Sequence, residues 1–127
     1  MDKNYTINID HKLRIIKYTH SGSIKAEDIG GVWEQFLTMK EFTQLKYNLF
    51  SDYSNGTFQI PHSFLPELME FMHSIKEIVR GKKQALIVND PHNVATSMIF
   101  ESKANKEVGF IVKVFTTQTS ALRWLSV

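Results

Sequence analysis

Ala85-Leu86-Ile87-Val88 is an apolar run closed at once by Asn89-Asp90-Pro91. It is too short for a buried helix, and an unbroken apolar run of this length reads as a strand buried on both faces, in the interior of a sheet. The stop is equally informative. Asp90 is placed to cap a helix, and Pro91 suits its first position, where no backbone N–H is needed. Strand followed directly by helix is the unit of an α/β fold, so the rest of the chain can be searched for its recurrence.

Residues 5–9 and 13–18 are β-type runs separated by Asp10-His11-Lys12, which suits an antiparallel hairpin with residues 5–9 as an edge strand. Lys3 and Asp10 blunt the ends of that edge. Gly22 breaks the second run. Ile29, Val32, Trp33, Phe36 and Leu37 then fall on one helical stripe, predicting a helix over 26–39. Gly30 and Gly31 lower its propensity, which either a close approach to the sheet or simple tolerance explains. Residues 45–52 alternate as a strand, with Leu45, Tyr47 and Leu49 on one face and Lys46, Asn48, Phe50 and Asp52 on a partly wet other face.

After a Tyr53-Ser54-Asn55-Gly56 turn and a short apolar piece at 58–60, one long helix is expected over 64–79, with Ser63 as its N-cap and Arg80-Gly81 as its stop. The helix from Pro91 is expected to reach about Lys103. A last strand occupies 108–115, and Thr117 caps a short helix burying Ala121, Leu122, Trp124 and Leu125. About five strands and four helices result, in an α/β right-handed βα winding whose hairpin is antiparallel and whose other strands are mainly parallel. With 127 residues, 43% of them apolar, the chain suffices for one core and is short for two, so 1–127 is expected to form a single domain.

The same composition removes several function classes. Without cysteine there is no disulfide, thiolate nucleophile or cysteine-ligated metal, and the five histidines show no HExxH or H-x-H spacing, so no metal or cofactor is expected. A formal charge of +2 is too small for a nucleic-acid footprint. Lys76, Arg80, Lys82 and Lys83 form the basic cluster, read as a solvated helix end rather than an anion site. The start MDKNYTINID lacks the apolar core of a signal peptide, and no apolar run reaches the roughly 20 residues of a membrane span, so a cytoplasmic protein is expected.

Open α/β sheets bind ligands beyond the carboxyl ends of their strands, where loops and helix N-termini converge. Residues 52–63 and the Asn89-Asp90 corner are therefore the expected site, with Asp52, Tyr53, Ser54, His62, Ser63, Asn89 and Asp90 as candidate residues. Each also has a structural reading: Ser63 as a cap, Asp52 as a turn former. A Ser63–His62 or His92–Asp52 or Asp90 triad would need a nucleophile elbow, and no G-x-S-x-G is present.

The order of hairpin, Gly22-Ser23-Ile24, helix with Trp33, strand ending in Asp52, apolar strand ending in Asn89-Asp90, and closing VFTTQTSALRWL resembles the SpoIIAA-like (STAS/SEC14-type) small stand-alone domains. The resemblance implies a non-catalytic regulatory or protein-interaction domain. It also implies, through the SEC14-type relatives, an alternative: binding of a small apolar, lipid-like ligand, for which Met69, Met72, Met98, Phe64 and Phe71 could line a pocket. Hydrolase activity is a distant third reading. In the related anti-sigma-factor antagonists a serine within Ile-Asp-Ser-Ser-Gly-Leu is phosphorylated. Ser63 falls at that position, with Pro61, His62 and Phe64 where that pattern has an acid, a serine and a glycine. The expected partners are a second copy of the chain or another protein, docking on the uncovered sheet face that carries Phe50 or on the edge strand.

Overall fold

The computed structural model describes residues 4–127. Strand β1 (Tyr5–Asp10) and strand β2 (Ile15–Lys25) form the antiparallel hairpin, in register from Tyr5 opposite His20 to Asp10 opposite Ile15. Asp10 Oδ1 accepts the Leu13 N–H at 2.9 Å and closes the turn. Helix α1 (Ala26–Thr38) and the four-residue helix α2 (Lys40–Thr43) follow. Then come strand β3 (Asn48–Gln59), helices α3 (Phe64–Ser74) and α4 (Lys76–Val79), strand β4 (Lys83–Ile87), helix α5 (Pro91–Val108), strand β5 (Ile111–Phe115) and helix α6 (Gln118–Leu125). The sheet order is β1-β2-β3-β4-β5, with every pair after the hairpin parallel.

Strand alternation sends side chains to two cores. Ile16, Tyr18, Leu49, Tyr53, Leu86 and Val112 face α1, α3 and α5, while Ile15, Phe50, Ala85 and Ile87 face α6 through Ala121 and Leu125. As expected, β1 is an edge strand. Lys3, invoked to blunt it, lies outside the described residues.

Several expectations are corrected. The described residues form six helices, not about four. The apolar stripe over 64–79 is interrupted at Ile75 (φ −115°, ψ 20°), which splits it into α3 and α4, and α2 follows an extended Met39. α5 runs past Lys103 to Val108, where Gly109 stops it in the left-handed conformation (φ 70°), so β5 begins only at Ile111. Ser63 does not cap α3: its own backbone is helical (φ −71°, ψ −13°) and its hydroxyl makes no capping bond. Gly30 and Gly31 meet nothing within 4 Å of where a Cβ would stand, so no close approach to the sheet explains them.

The largest difference lies in β2 and β3. Gly22 does not end β2, and Tyr53-Ser54-Asn55-Gly56 is not a turn, because the two strands extend together and pair from Ser21 opposite Asn55 to Lys25 opposite Gln59. The ladder slips between Thr19 and Ser21, so that Tyr53 and Ser54 stand opposite His20 alone, a β-bulge in β3. Asp52 Oδ1 accepts both the Ser54 N–H (2.9 Å) and its hydroxyl (2.6 Å), the local bond of an Asx turn, here serving the bulge. Gly56 is closely approached: a Cβ there would sit 2.3 Å from Ile24 Cδ1, so any larger residue would have to displace the buried Ile24 side chain. Phe50, expected on a wet face, is buried under α6, and Leu45, expected in the strand, lies before it and is exposed.

Candidate functional site

β4 pairs with β3 only as far as Asp52, so β3 beyond that point loses its neighbour on the β4 side. Asn93, fully buried in the first turn of α5, takes over the ladder: its Oδ1 accepts the Phe58 N–H at 3.0 Å and its Nδ2 donates to Gly56 O at 2.9 Å. Asp90 holds Asn93 in place as N-cap, accepting its backbone N–H at 3.1 Å. In the orientation that satisfies both neighbours, Asn89 Nδ2 donates to Val88 O (3.3 Å) and Thr116 O (3.1 Å). On the α6 side, Asp52 Oδ2 accepts from Gln118 Nε2 at 2.6 Å.

The candidate polar residues are thus placed as follows. Asp52 and Ser54 come together with Gln118. Asn89 and Asp90 tie the β4–α5 corner to β5 and α5. His62 and Ser63 are exposed in the turn before α3, and no side-chain hydrogen bond joins them to the others among the described residues. Tyr53 points to the opposite face from Asp52, into the larger core, where burial raises its hydroxyl pKa. Both oxygens of Asp52 are engaged, so this carboxylate braces the bulge and α6 rather than facing a serine or histidine. Among the described residues no cluster of histidine and acidic side chains could hold a metal ion.

The basic cluster also separates. Lys82 is buried, its ammonium 4.3 Å above the Phe42 ring and donating to Ile78 O, and burial lowers its pKa, with Lys46 adding to the effect. Lys83 Nζ donates to Val127 O at 2.9 Å, and Arg80 pairs with Glu77 at 3.0 Å.

A second group of residues, of which the sequence singled out only Tyr53, Phe64 and, in the family resemblance, Trp33, lines a cavity of about 50 Å³ between the sheet, α1, α3 and α5. Trp33, Tyr53, Phe58, Phe64, Leu86 and Phe100 make its wall apolar. A neighbouring cavity of about 180 Å³ shares Trp33, Phe64 and Leu68 with it and is bordered by Gly30, Glu34 and Glu67. Both lie along the groove between α1 and α3 and have these three side chains in common. Of the residues expected to line a pocket, Phe64 does so and Phe71 borders the second cavity, whereas Met69 and Met72 fill the core and Met98 is exposed beside two open depressions away from this groove. Gln84, on the sheet floor of the smaller cavity, is 2% exposed; its Nε2 donates to Ser51 Oγ at 3.0 Å, and its buried Oε1 has no hydrogen-bond partner among the described residues. The sequence signal was a glutamine beside the apolar run of β4.

A second polar pair lies deep in the same core. Tyr18 and His20 share a hydrogen bond beside Tyr5, and burial lowers the His20 pKa and raises that of Tyr18.

No helix among the described residues is long and apolar enough to cross a membrane. No family model matches the chain. No curated protein matches it either. Among solved structures it is similar to an uncharacterized protein of the DUF3478 family from Shewanella loihica PV-4, described as having a SpoIIAA-like fold, with a TM-score of 0.59 and 14% identity over 98% of each chain. At that identity the likeness concerns architecture, and it agrees with the strand order and the mixed sheet: the fold is SpoIIAA-like.

Proposed function

We propose that this chain is a non-catalytic regulatory or interaction domain that works by binding, and that its recognition element is the apolar groove between α1 and α3. One observation carries the reading: Asp52, Asn89 and Asp90 at the strand ends are occupied by internal hydrogen bonds, while the groove ends on Gln84 with an unsatisfied buried oxygen. Groups that must act on a substrate need free lone pairs and protons, and a binding cleft needs apolar walls with a few polar contacts. The groove supports the small-ligand reading more directly than self-association, because Phe50, the expected docking residue, is covered by α6. The place of β1 at the end of the strand order is what supports association with a second copy.

Native mass spectrometry of the purified protein tests this. The expected spectrum shows the 14.7 kDa chain carrying additional mass, as a ligand or a partner, that Leu68→Glu in the groove wall strips away. Additional mass retained by a folded Leu68→Glu variant would move recognition elsewhere on the surface. A bare chain in both proteins would withdraw the reading.

A further inference from the structure

Resting on the groove as the recognition element, we infer that its ligand is a small neutral molecule with an apolar body and one hydrogen-bond donor, an alcohol or phenol, whose hydroxyl is read by Gln84 Oε1. Three observations converge on that chemistry. The first is the acceptor itself: Gln84 is 2% exposed, its amide nitrogen is committed to Ser51 Oγ, and its Oε1 is buried without a partner although Tyr53, Thr96 and Ser97 line the same cavity. A buried acceptor left unpaired is costly, so a donor delivered there gains more than it would in water.

The second is shape. The cavity on Gln84 holds about 50 Å³, room for a hydroxyl and a carbon or two, and the adjoining cavity holds about 180 Å³ between Trp33, Phe64, Leu68 and Phe71, room for the apolar body. Gly30, without a side chain, borders this second cavity, and nothing lies within 4 Å of where its Cβ would be.

The third is charge. An anionic headgroup would meet an acceptor at the inner end and Glu34 and Glu67 at the outer one. Carboxylates and phosphates are thereby disfavoured at both ends, and a buried ammonium would carry an unpaired charge into an apolar site. A neutral donor meets neither objection.

The experiment is an NMR titration of the full chain, following backbone and side-chain amides, with 1-hexanol, methyl pentyl ether and hexanoate. Hexanol is expected to shift the Gln84 side-chain amide and the Trp33 indole N–H. The ether, similar in size but without a donor, should bind about tenfold more weakly, the fold-change of one unpaired buried acceptor. Hexanoate should be weaker than hexanol. In Gln84→Met the preference for alcohol over ether should vanish while binding of the ether persists. Equal affinity of alcohol and ether for the native chain would overturn the role of Gln84 and leave the groove standing as a recognition element. Tightest binding by hexanoate would reverse the charge argument. Failure of all three probes to shift any groove resonance would mean that the cavity takes water only, and the functional reading would fall with it. If Gln84→Met does not fold, the alcohol-to-ether comparison on the native chain still decides.

Discussion

The two faces of the sheet are made by alternate residues of the same strands, yet one is covered at its middle by a single short helix and the other by three helices with a gap between two of them. On the α6 face a single eight-residue helix lays Ala121 and Leu125 over Ile15, Phe50, Ala85 and Ile87. Two of those contacts are alanines, which let the helix come close and leave Phe50 filling the space between them. The opposite face is covered by α1, α3 and α5 and filled largely by rings: Trp33 meets Phe36, Phe42, Phe71 and Phe110 nearly edge to face at 5.3–6.4 Å. Rigid rings in edge-to-face contact hold several helices at once but do not flow into every gap. Small residues bring one helix close over the middle strands, whereas aromatic packing under three helices leaves a groove.

The contrast predicts unequal costs for truncation. Phe50→Ala should destabilise by about 3–5 kcal/mol, the range for a buried aromatic whose surroundings cannot collapse into the space left behind. Leu68→Ala, on the half-buried groove wall, should cost about 1 kcal/mol, because its side chain is already partly in water. Urea titrations of the two variants make the comparison. Similar losses would mean that the groove wall is as tightly packed as the residues under α6.

Next in size is the side chain that patches the sheet beneath the groove. Asn93→Ala removes both bonds to β3 and leaves the Phe58 N–H and the Gly56 carbonyl unpaired, which should cost about 2–3 kcal/mol. Hydrogen exchange locates the effect: the Phe58 amide should exchange faster in the variant while amides in the first half of β3, paired on both sides, stay protected. Unchanged protection at Phe58 would show that the extended strand holds without its patch.

These residues also show where sequence reading reached and where it stopped. Strand and helix runs are local patterns, and the hairpin, the buried β4 strand, the Asp90 cap with Pro91 and the Thr117 cap of α6 were all visible as such. The joint extension of β2 and β3 was not, because the Asp52-to-Ser54 bond that makes a turn in isolation makes a bulge once residues 21–25 lie alongside. The burial of Phe50 depends on a helix that begins 68 residues later, at Gln118, and alternation within one strand cannot report such a cover. Gln84 and Asn93 were hidden for the same reason: a lone amide in the sequence carries no sign of the ladder it completes or the cavity it faces. Periodicity also ran straight across Ile75, where only the backbone shows the break between α3 and α4.

The face that bears the groove also carries a titratable side chain, His20, and should make stability depend on pH. Burial holds its folded-state pKa below the ordinary 6.5, with Asp28 opposing the effect more weakly. Below pH 6.5 the unfolded chain therefore binds a proton that the folded chain resists, and stability rises with pH wherever the unfolded state holds more protons. The contribution should be complete above about pH 6.5 and lost as the pH falls from there through the lower folded-state value. Comparing urea midpoints of the native chain and His20→Gln between pH 7.5 and 5 isolates it. A native chain whose midpoint falls no faster than that of the variant would contradict the buried neutral histidine.

The smallest effect is expected at Ser63, at the entrance to α3. A serine that caps a helix costs about 1 kcal/mol when replaced by alanine, because an N–H of the first turn loses its acceptor. Here the Ser63 backbone is already helical and its hydroxyl makes no such bond. The first turn is instead held by the backbone, with the Phe64 N–H donating to Pro61 O at 3.0 Å. Alanine has the better helix propensity at such a position, so Ser63→Ala should stay within about 0.5 kcal/mol of the native stability. The hydroxyl is exposed, and the acidic residue of the first turn is Glu67. A urea titration that finds a loss of 1 kcal/mol or more in Ser63→Ala would restore the capping role and tie this residue to the stability of the helix.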